Sequence, residues 1–104
     1  MQFTIGWVKL RPGTRSLFLE EAKRGLALTQ KEDGCLFFEL HPSASDSDGV
    51  VLIEGWSSVE KHKAHLVAPH RPVLGDVVMK YATEGHFHEI EAAKVATFDP
   101  KFAT

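Results

Sequence analysis

Cys35-Leu36-Phe37-Phe38-Glu39-Leu40-His41 and Val50-Val51-Leu52-Ile53-Glu54-Gly55-Trp56 are two runs of strand-forming residues. Between them lies Pro42-Ser43-Ala44-Ser45-Asp46-Ser47-Asp48-Gly49, built almost wholly from residues that favour turns. Two such runs joined by a short polar loop read as a β-hairpin, and the strands are therefore antiparallel. Upstream, Phe3, Ile5 and Trp7 alternate at period two within Gln2–Leu10, so they share one face of a first strand. Arg11-Pro12-Gly13-Thr14 ends that strand, with Thr14 the expected helix N-cap.

From Arg15 to Gln30 the period changes to three and four. Phe18, Ala22, Leu26 and Thr29 fall on one side, and Glu20, Glu21, Lys23 and Arg24 mostly on the other, which predicts an amphipathic helix. Glu32-Asp33-Gly34 stops it, with Gly34 suited to a left-handed backbone. After Trp56, Ser57-Ser58-Val59-Glu60 has the form of a capping box, with Ser57 as N-cap, opening a helix through Leu66. Ala68-Pro69-His70-Arg71-Pro72 breaks that helix. A second helical piece carries Val77, Val78 and Tyr81, and Gly85–Ile90 reads as a last strand. The order β-α-β-β-α-β predicts an α+β, ferredoxin-like fold, with a four-stranded antiparallel sheet and helices on one face. Residues 1–91 read as one domain. Residues 92–104 read as a tail that packs on a partner subunit or frays. The second sheet face would be too large an apolar patch to leave in water, so a face-to-face homodimer is expected.

Composition excludes several classes. The 104 residues are 43% hydrophobic and 25% charged, with a net charge of −2. No basic surplus exists to neutralise phosphates, so nucleic acid is not an expected partner. No apolar run approaches the ~18 residues that would span a bilayer. The single cysteine, Cys35, allows no intramolecular disulfide. With no basic, apolar leader at Met1–Ile5, this predicts a reducing, cytoplasmic setting.

Three segments resemble the antibiotic biosynthesis monooxygenase domain, a superfamily of dimeric α+β barrels. They are Glu32-Asp33-Gly34-Cys35-Leu36-Phe37-Phe38-Glu39-Leu40, then Leu52-Ile53-Glu54-Gly55-Trp56-Ser57-Ser58, then His65-Leu66-Val67-Ala68-Pro69-His70. With the element order, the resemblance covers about residues 1–91. It implies a homodimer and, for quinol-monooxygenase-like members, oxidation of polycyclic or quinol-like aromatics by dioxygen without metal or flavin. Other members degrade haem or process a phosphorylated signalling sugar derivative. The haem-degrading branch resembles this chain least: where that branch has a strand-one Asn and a helical iron-ligating His, Trp7 and the neighbourhood of Gly75 stand here.

Within that frame His65 is the candidate catalytic residue, because a neutral imidazole suits proton removal from a phenolic oxygen. Its plainer role is a helix His bonded to a carbonyl or an acid. Trp7, Phe38 and Trp56 are the candidate substrate-binding aromatics, against a plainer role as core or dimer residues. His62 is a further candidate substrate-binding residue, standing where the buried stripe of Val59 and Leu66 calls for an apolar one. Glu54 interrupts an apolar strand and needs a partner, either a His it orients or, the favoured expectation, a cation across the dimer. His86 and His88 share a strand face without a recognised zinc spacing, so no metal or other cofactor is expected. Cys35 reads as inert packing. The expected function is a cofactor-independent monooxygenase acting on a small aromatic or quinol. The competing expectations are a non-catalytic dimer that binds a small molecule, and an isomerase or lyase acting on a polar metabolite. The latter requires His41, His62 and Arg71 to converge.

Overall fold

The structure, a computed structural model, describes residues 1–101. Seven elements run in the order β1 (Gln2–Leu10), α1 (Arg15–Gln30), β2 (Cys35–Pro42), β3 (Gly49–Trp56), α2 (Val59–Leu66), α3 (Arg71–Tyr81) and β4 (Ala82–Glu91). The sheet has the order β2-β3-β1-β4 with every neighbouring pair antiparallel. This is the split βαβ arrangement that the periodicities predict, with the second helical region divided in two at Val67–His70. Of the expected tail, residues 92–101 carry no regular structure, and residues 102–104 lie outside the described residues. Ala92 is held by Met1, whose terminal amine donates to its carbonyl at 2.8 Å.

The hairpin loop is clamped rather than free. Arg15 Nη1 donates to the carbonyls of Ser43, Asp46 and Gly49. Lys9 Nζ reaches the Asp46 carboxylate at 2.7 Å. That contact raises the Lys9 pKa and lowers that of Asp46. At the other end of β2, Gly34 takes φ +84°, the left-handed turn expected of it.

Two caps differ from expectation. Thr14 stands at the N-cap of α1, but its hydroxyl donates back to the Arg11 carbonyl at 2.7 Å and caps no helical amide. The N-cap of α2 is Ser58, whose Oγ accepts from the Lys61 amide at 3.1 Å. Ser57 lies one residue outside the helix: the first helical bond runs from the His62 amide to the Ser58 carbonyl at 3.2 Å, while the Ser57 amide donates to the Gly34 carbonyl at 2.8 Å at the strand ends.

One sheet face carries the helices. Val8, Leu10 and Val50 meet Phe18 of α1 and Tyr81 of α3 there. Helix α3 lies close to α1 because Gly25 leaves room: a Cβ at that position would stand 2.6 Å from the Cβ of Leu74 and 2.8 Å from its Cα. The pair is also pinned by Glu21, which accepts from Lys80 Nζ at 2.8 Å and from the Tyr81 hydroxyl. Lys80 first and then Tyr81 hold the Glu21 carboxyl below its usual pKa.

The opposite sheet face has no helix. Phe3, Ile5 and Trp7 do share a face, as their alternation requires, and it is this open one, since the buried positions of β1 are Gln2, Thr4, Gly6, Val8 and Leu10. Phe3 stacks on Phe37 with ring centroids 5.9 Å apart. Trp7 meets His86 and His88 edge-on at 5.7 and 5.8 Å.

Gly25→Ala tests the α1–α3 contact. Alanine favours the helix by about 1 kcal/mol, but forcing a methyl against backbone costs about 1–3 kcal/mol. The melting temperature is expected to fall, by about 4–8 °C for each net kcal/mol lost. A melting temperature at or above wild type contradicts the close packing.

Candidate functional site

Between the helices and the sheet lies a cavity of about 890 Å³, within the range that holds drug-sized ligands. Its floor is a row in register across the strands: Phe38 pairs with Glu54, Glu54 with Thr4, and Thr4 with Glu89. The side chains of this row lie on one face because residues opposite each other in a sheet point the same way. Helix α2 supplies one wall through His62 and His65, and α3 closes the opposite side with Leu74, Val78 and Met79. The ring of Phe87 lies over Gly6, so close that a Cβ there would stand 2.2 Å from it.

His62 and His65 are three residues apart and therefore share one side of α2. They are the buried face of that helix, 7% and 6% exposed, whereas Leu66 is 39% exposed. The apolar stripe expected on α2 is thus an imidazole stripe. Each imidazole is matched by a carboxylate. His65 Nδ1 lies 2.7 Å from Glu32 Oε2. His62 Nε2 lies 3.4 Å from Glu54 Oε1. That same Glu54 oxygen accepts from the Trp56 indole Nε1–H at 2.8 Å. Glu54 is 6% exposed, so these donors offset the cost of taking a carboxylate out of water. The partner of Glu54 is therefore a His and an indole on the same chain, not the cation favoured from sequence.

The two imidazole planes lie 22° apart with centroids separated by 6.4 Å. Trp56 stacks on His65 at 4.8 Å, and Phe38 approaches it at 5.5 Å. Held by Glu32 on one nitrogen and by two aromatic rings on its faces, His65 has a fixed orientation. Because a carboxylate only accepts, the hydrogen of this contact sits on Nδ1, which donates it to Glu32. His70 Nε2 also comes within 3.2 Å of Glu32 Oε2, but at an angle that makes no hydrogen bond.

Of the sequence candidates, His65, His62 and Phe38 all line this cavity. Trp56, fully buried, backs His65 rather than touching the cavity. Trp7 does not join them. It stands on the open sheet face, 47% exposed, because its position in β1 has the opposite parity to Thr4 and Val8. His41 is likewise turned out of the site, bonded to Glu39 at 2.8 Å on the exposed side of β2. The convergence of His41, His62 and Arg71 demanded by a polar-metabolite isomerase is therefore absent, although His62 and Arg71 both reach the cavity. Cys35 is half-buried, and burial, reinforced by the charges of Glu32 and Glu54, pushes its thiol pKa up, as suits inert packing.

Glu32 was not singled out from the sequence as a partner of His65. It lies 33 residues away in the loop that ends α1. Its only sequence signal is an acid beside Gly34, at the turn that delivers β2 to the end of β3. Thr4 was missed as well, being the one small polar residue on the buried face of β1 that borders the cavity.

Replacing Trp56 by Phe tests how Glu54 is held. The variant keeps the ring against His65 but removes the indole N–H. Leaving a buried acceptor short of a donor is expected to cost about 1–3 kcal/mol, read as a lower urea midpoint. An unchanged midpoint would show that the Glu54 contact contributes nothing.

Comparison with known proteins follows the same lines. A model of the antibiotic biosynthesis monooxygenase family matches residues 1–71. No curated protein matches the chain in sequence. Solved structures match it closely in fold. A Deinococcus radiodurans protein assigned to the antibiotic biosynthesis monooxygenases superposes with a TM-score of 0.82 at 18% identity, over 96% of this chain and 100% of that one. A Nitrosomonas europaea protein of the same assignment gives 0.80 at 21% identity, over 90% and 100%. A Mycobacterium tuberculosis protein gives 0.79 at 24% identity, over 92% and 98%. With the family model spanning residues 1–71 and the split βαβ sheet in place, the chain belongs to the antibiotic biosynthesis monooxygenase family.

Proposed function

We propose that this chain is a cofactor-independent monooxygenase that oxidises a small aromatic or quinol-like substrate with dioxygen, and that His65 is its base. The observation that supports this reading is the His65 imidazole on the cavity wall, packed against Phe38 and Trp56, with its Nδ1 engaged by Glu32 at 2.7 Å. With Nδ1–H donated to the carboxylate, Nε2 keeps its lone pair for a phenolic proton. Glu32 then stabilises the imidazolium that forms.

The phenolate passes one electron to dioxygen, and the two radicals join as a peroxide at a ring carbon that bears hydrogen. Breaking the O–O bond, with loss of that hydrogen and return of the proton held by His65, leaves a quinone and water. One oxygen atom enters the quinone and the other leaves as water, so the four electrons taken by dioxygen all come from the substrate. Phe38 walls the ring, Trp56 keeps His65 in orientation, and His62 supplies a second polar contact on the same wall.

The working form in this reading is a homodimer closed over the open sheet face, where Phe3, Ile5, Trp7, Phe37 and Ile53 otherwise meet water. Trp7 is then an interface residue rather than a pocket one. Among the described residues no helix is long and apolar enough to cross a membrane; the cytoplasm is the compartment this reading assigns.

The test is oxygen uptake by the purified, metal-stripped protein offered a panel of quinols and anthrone-like aromatics, with His65→Ala alongside. Uptake that survives chelation and falls by about a hundredfold or more in the variant is expected of a lost general base. Uptake no faster than autoxidation, or unchanged in His65→Ala, overturns the reading and leaves a binding module.

A further inference from the structure

Four of the histidines face a carboxylate: His41 that of Glu39, His62 that of Glu54, and both His65 and His70 that of Glu32. Among the described residues the remaining two, His86 and His88, face each other instead, with ring centroids 4.9 Å apart and planes at 85°. Both are exposed on β4, the edge strand of the sheet. Being two residues apart on a strand, their side chains share one face. Trp7, which pairs with His86 across β1 and β4, meets both rings edge-on at 5.7 and 5.8 Å. The pair therefore lies on the open sheet face, away from the cavity that holds His65.

The sequence spacing marks no zinc motif; the fold adds where the rings stand. At a Zn–N bond of about 2.1 Å, two imidazoles on one tetrahedral ion have their centroids about 5 Å apart. The 4.9 Å between His86 and His88 matches that separation. The Cβ–Cγ bond points nearly through the centre of the ring, and the torsion about it is broad and soft. Aiming one nitrogen of each ring at a common point thus leaves the centroids almost in place and moves no backbone. Neighbouring charges favour a cation. Glu84 stands two residues before His86 on the same face of β4, and both border a cleft of about 450 Å³. Lys9, on the same cleft, has its ammonium on Asp46 at 2.7 Å. A carboxylate beside the pair attracts a metal ion and repels an anion.

We propose that His86 and His88 form a two-point chelate for a divalent transition metal ion of the zinc and copper class, on the sheet face opposite the cavity. Imidazole nitrogens select such ions over magnesium and calcium, which take oxygen donors. Among the described residues no third His, Cys, Asp or Glu converges with the pair. Water fills the ion's other positions, so the site exchanges its metal more readily than a structural site closed by four protein ligands. The sheet separates this ion from His65, and the ion takes no part in the oxidation described above.

The experiment titrates the metal-stripped protein with copper(II), read by tryptophan emission, and with zinc, read by calorimetry. Copper held between the two rings is expected to quench Trp7 saturably at one ion per chain. Trp7→Phe is expected to lose that quenching and to bind zinc as the wild type does. His86→Gln and His88→Gln are each expected to weaken zinc binding by about a hundredfold or more, the loss expected when two linked contacts become one. Both residues are exposed, so a melting temperature equal to wild type without metal reports that the variants are folded. Zinc affinity unchanged in either variant, zinc displaced by excess magnesium, or no saturable binding of zinc or copper overturns the chelate. Oxygen uptake by the metal-stripped variants is expected to equal that of the wild type, so loss of the monooxygenase reading leaves the chelate standing, and loss of the chelate leaves that reading standing.

Discussion

A carboxylate taken out of water has to be given donors, and in this protein the buried Glu54 and the half-buried Glu32 find them in the side chains that wall the cavity. Glu54 is held by the Trp56 indole and faces His62; Glu32 is held by His65. These contacts fasten α2 to the end of β3 and to the loop that follows α1. They also fix the orientations of two imidazoles that would otherwise be free to turn about their side-chain bonds. Removing any one member leaves a charge or a ring without its partner, so the cavity wall behaves as one unit rather than as separable contacts. The chemistry assigned to His65 depends on this arrangement, because a base works only when the correct nitrogen carries the lone pair.

The second constraint is the parity of the strands. The sheet has one face under helices and one without cover, and alternate residues of every strand go to opposite faces. On β1 the large apolar residues Phe3, Ile5 and Trp7 are on the uncovered side, while the covered side holds Gln2, Thr4 and Gly6 before Val8 and Leu10. Small and polar residues at that end leave the space that becomes the cavity; large ones would fill it. At the other end Val8, Leu10, Val50, Phe18 and Tyr81 close the space into core. The division between packed core and open cavity is therefore written along a single strand. Gly25, by admitting Leu74 close to α1, sets where α3 covers it.

The architecture was legible because the periodicities are strong. The hairpin of β2 and β3, the sixteen-residue α1 and the left-handed Gly34 all follow from local pattern. His65, His62 and Phe38 were legible as candidates, and the cavity gathers them. What local pattern does not carry is the side on which an alternating set lies. Alternation states that Phe3, Ile5 and Trp7 go together, not that they go outward, so Trp7 was placed with the pocket aromatics. Nor does it carry contacts between segments far apart in the chain. Glu32 meets His65 across 33 residues of chain, and the bond from the Ser57 amide to Gly34 keeps Ser57 with the strand ends, so the helix starts one residue later at Ser58.

The protonation state of one ring tests this account most directly. A long-range proton–nitrogen correlation spectrum of the imidazoles, recorded in alkaline buffer where histidines are neutral, distinguishes the two tautomers of His65. The account predicts a proton on Nδ1, held by Glu32, and a bare Nε2, with that preference lost in Glu32→Ala. A His65 that carries its proton on Nε2, or that exchanges between both forms in the wild type, would contradict the assignment of His65 as a prepared base.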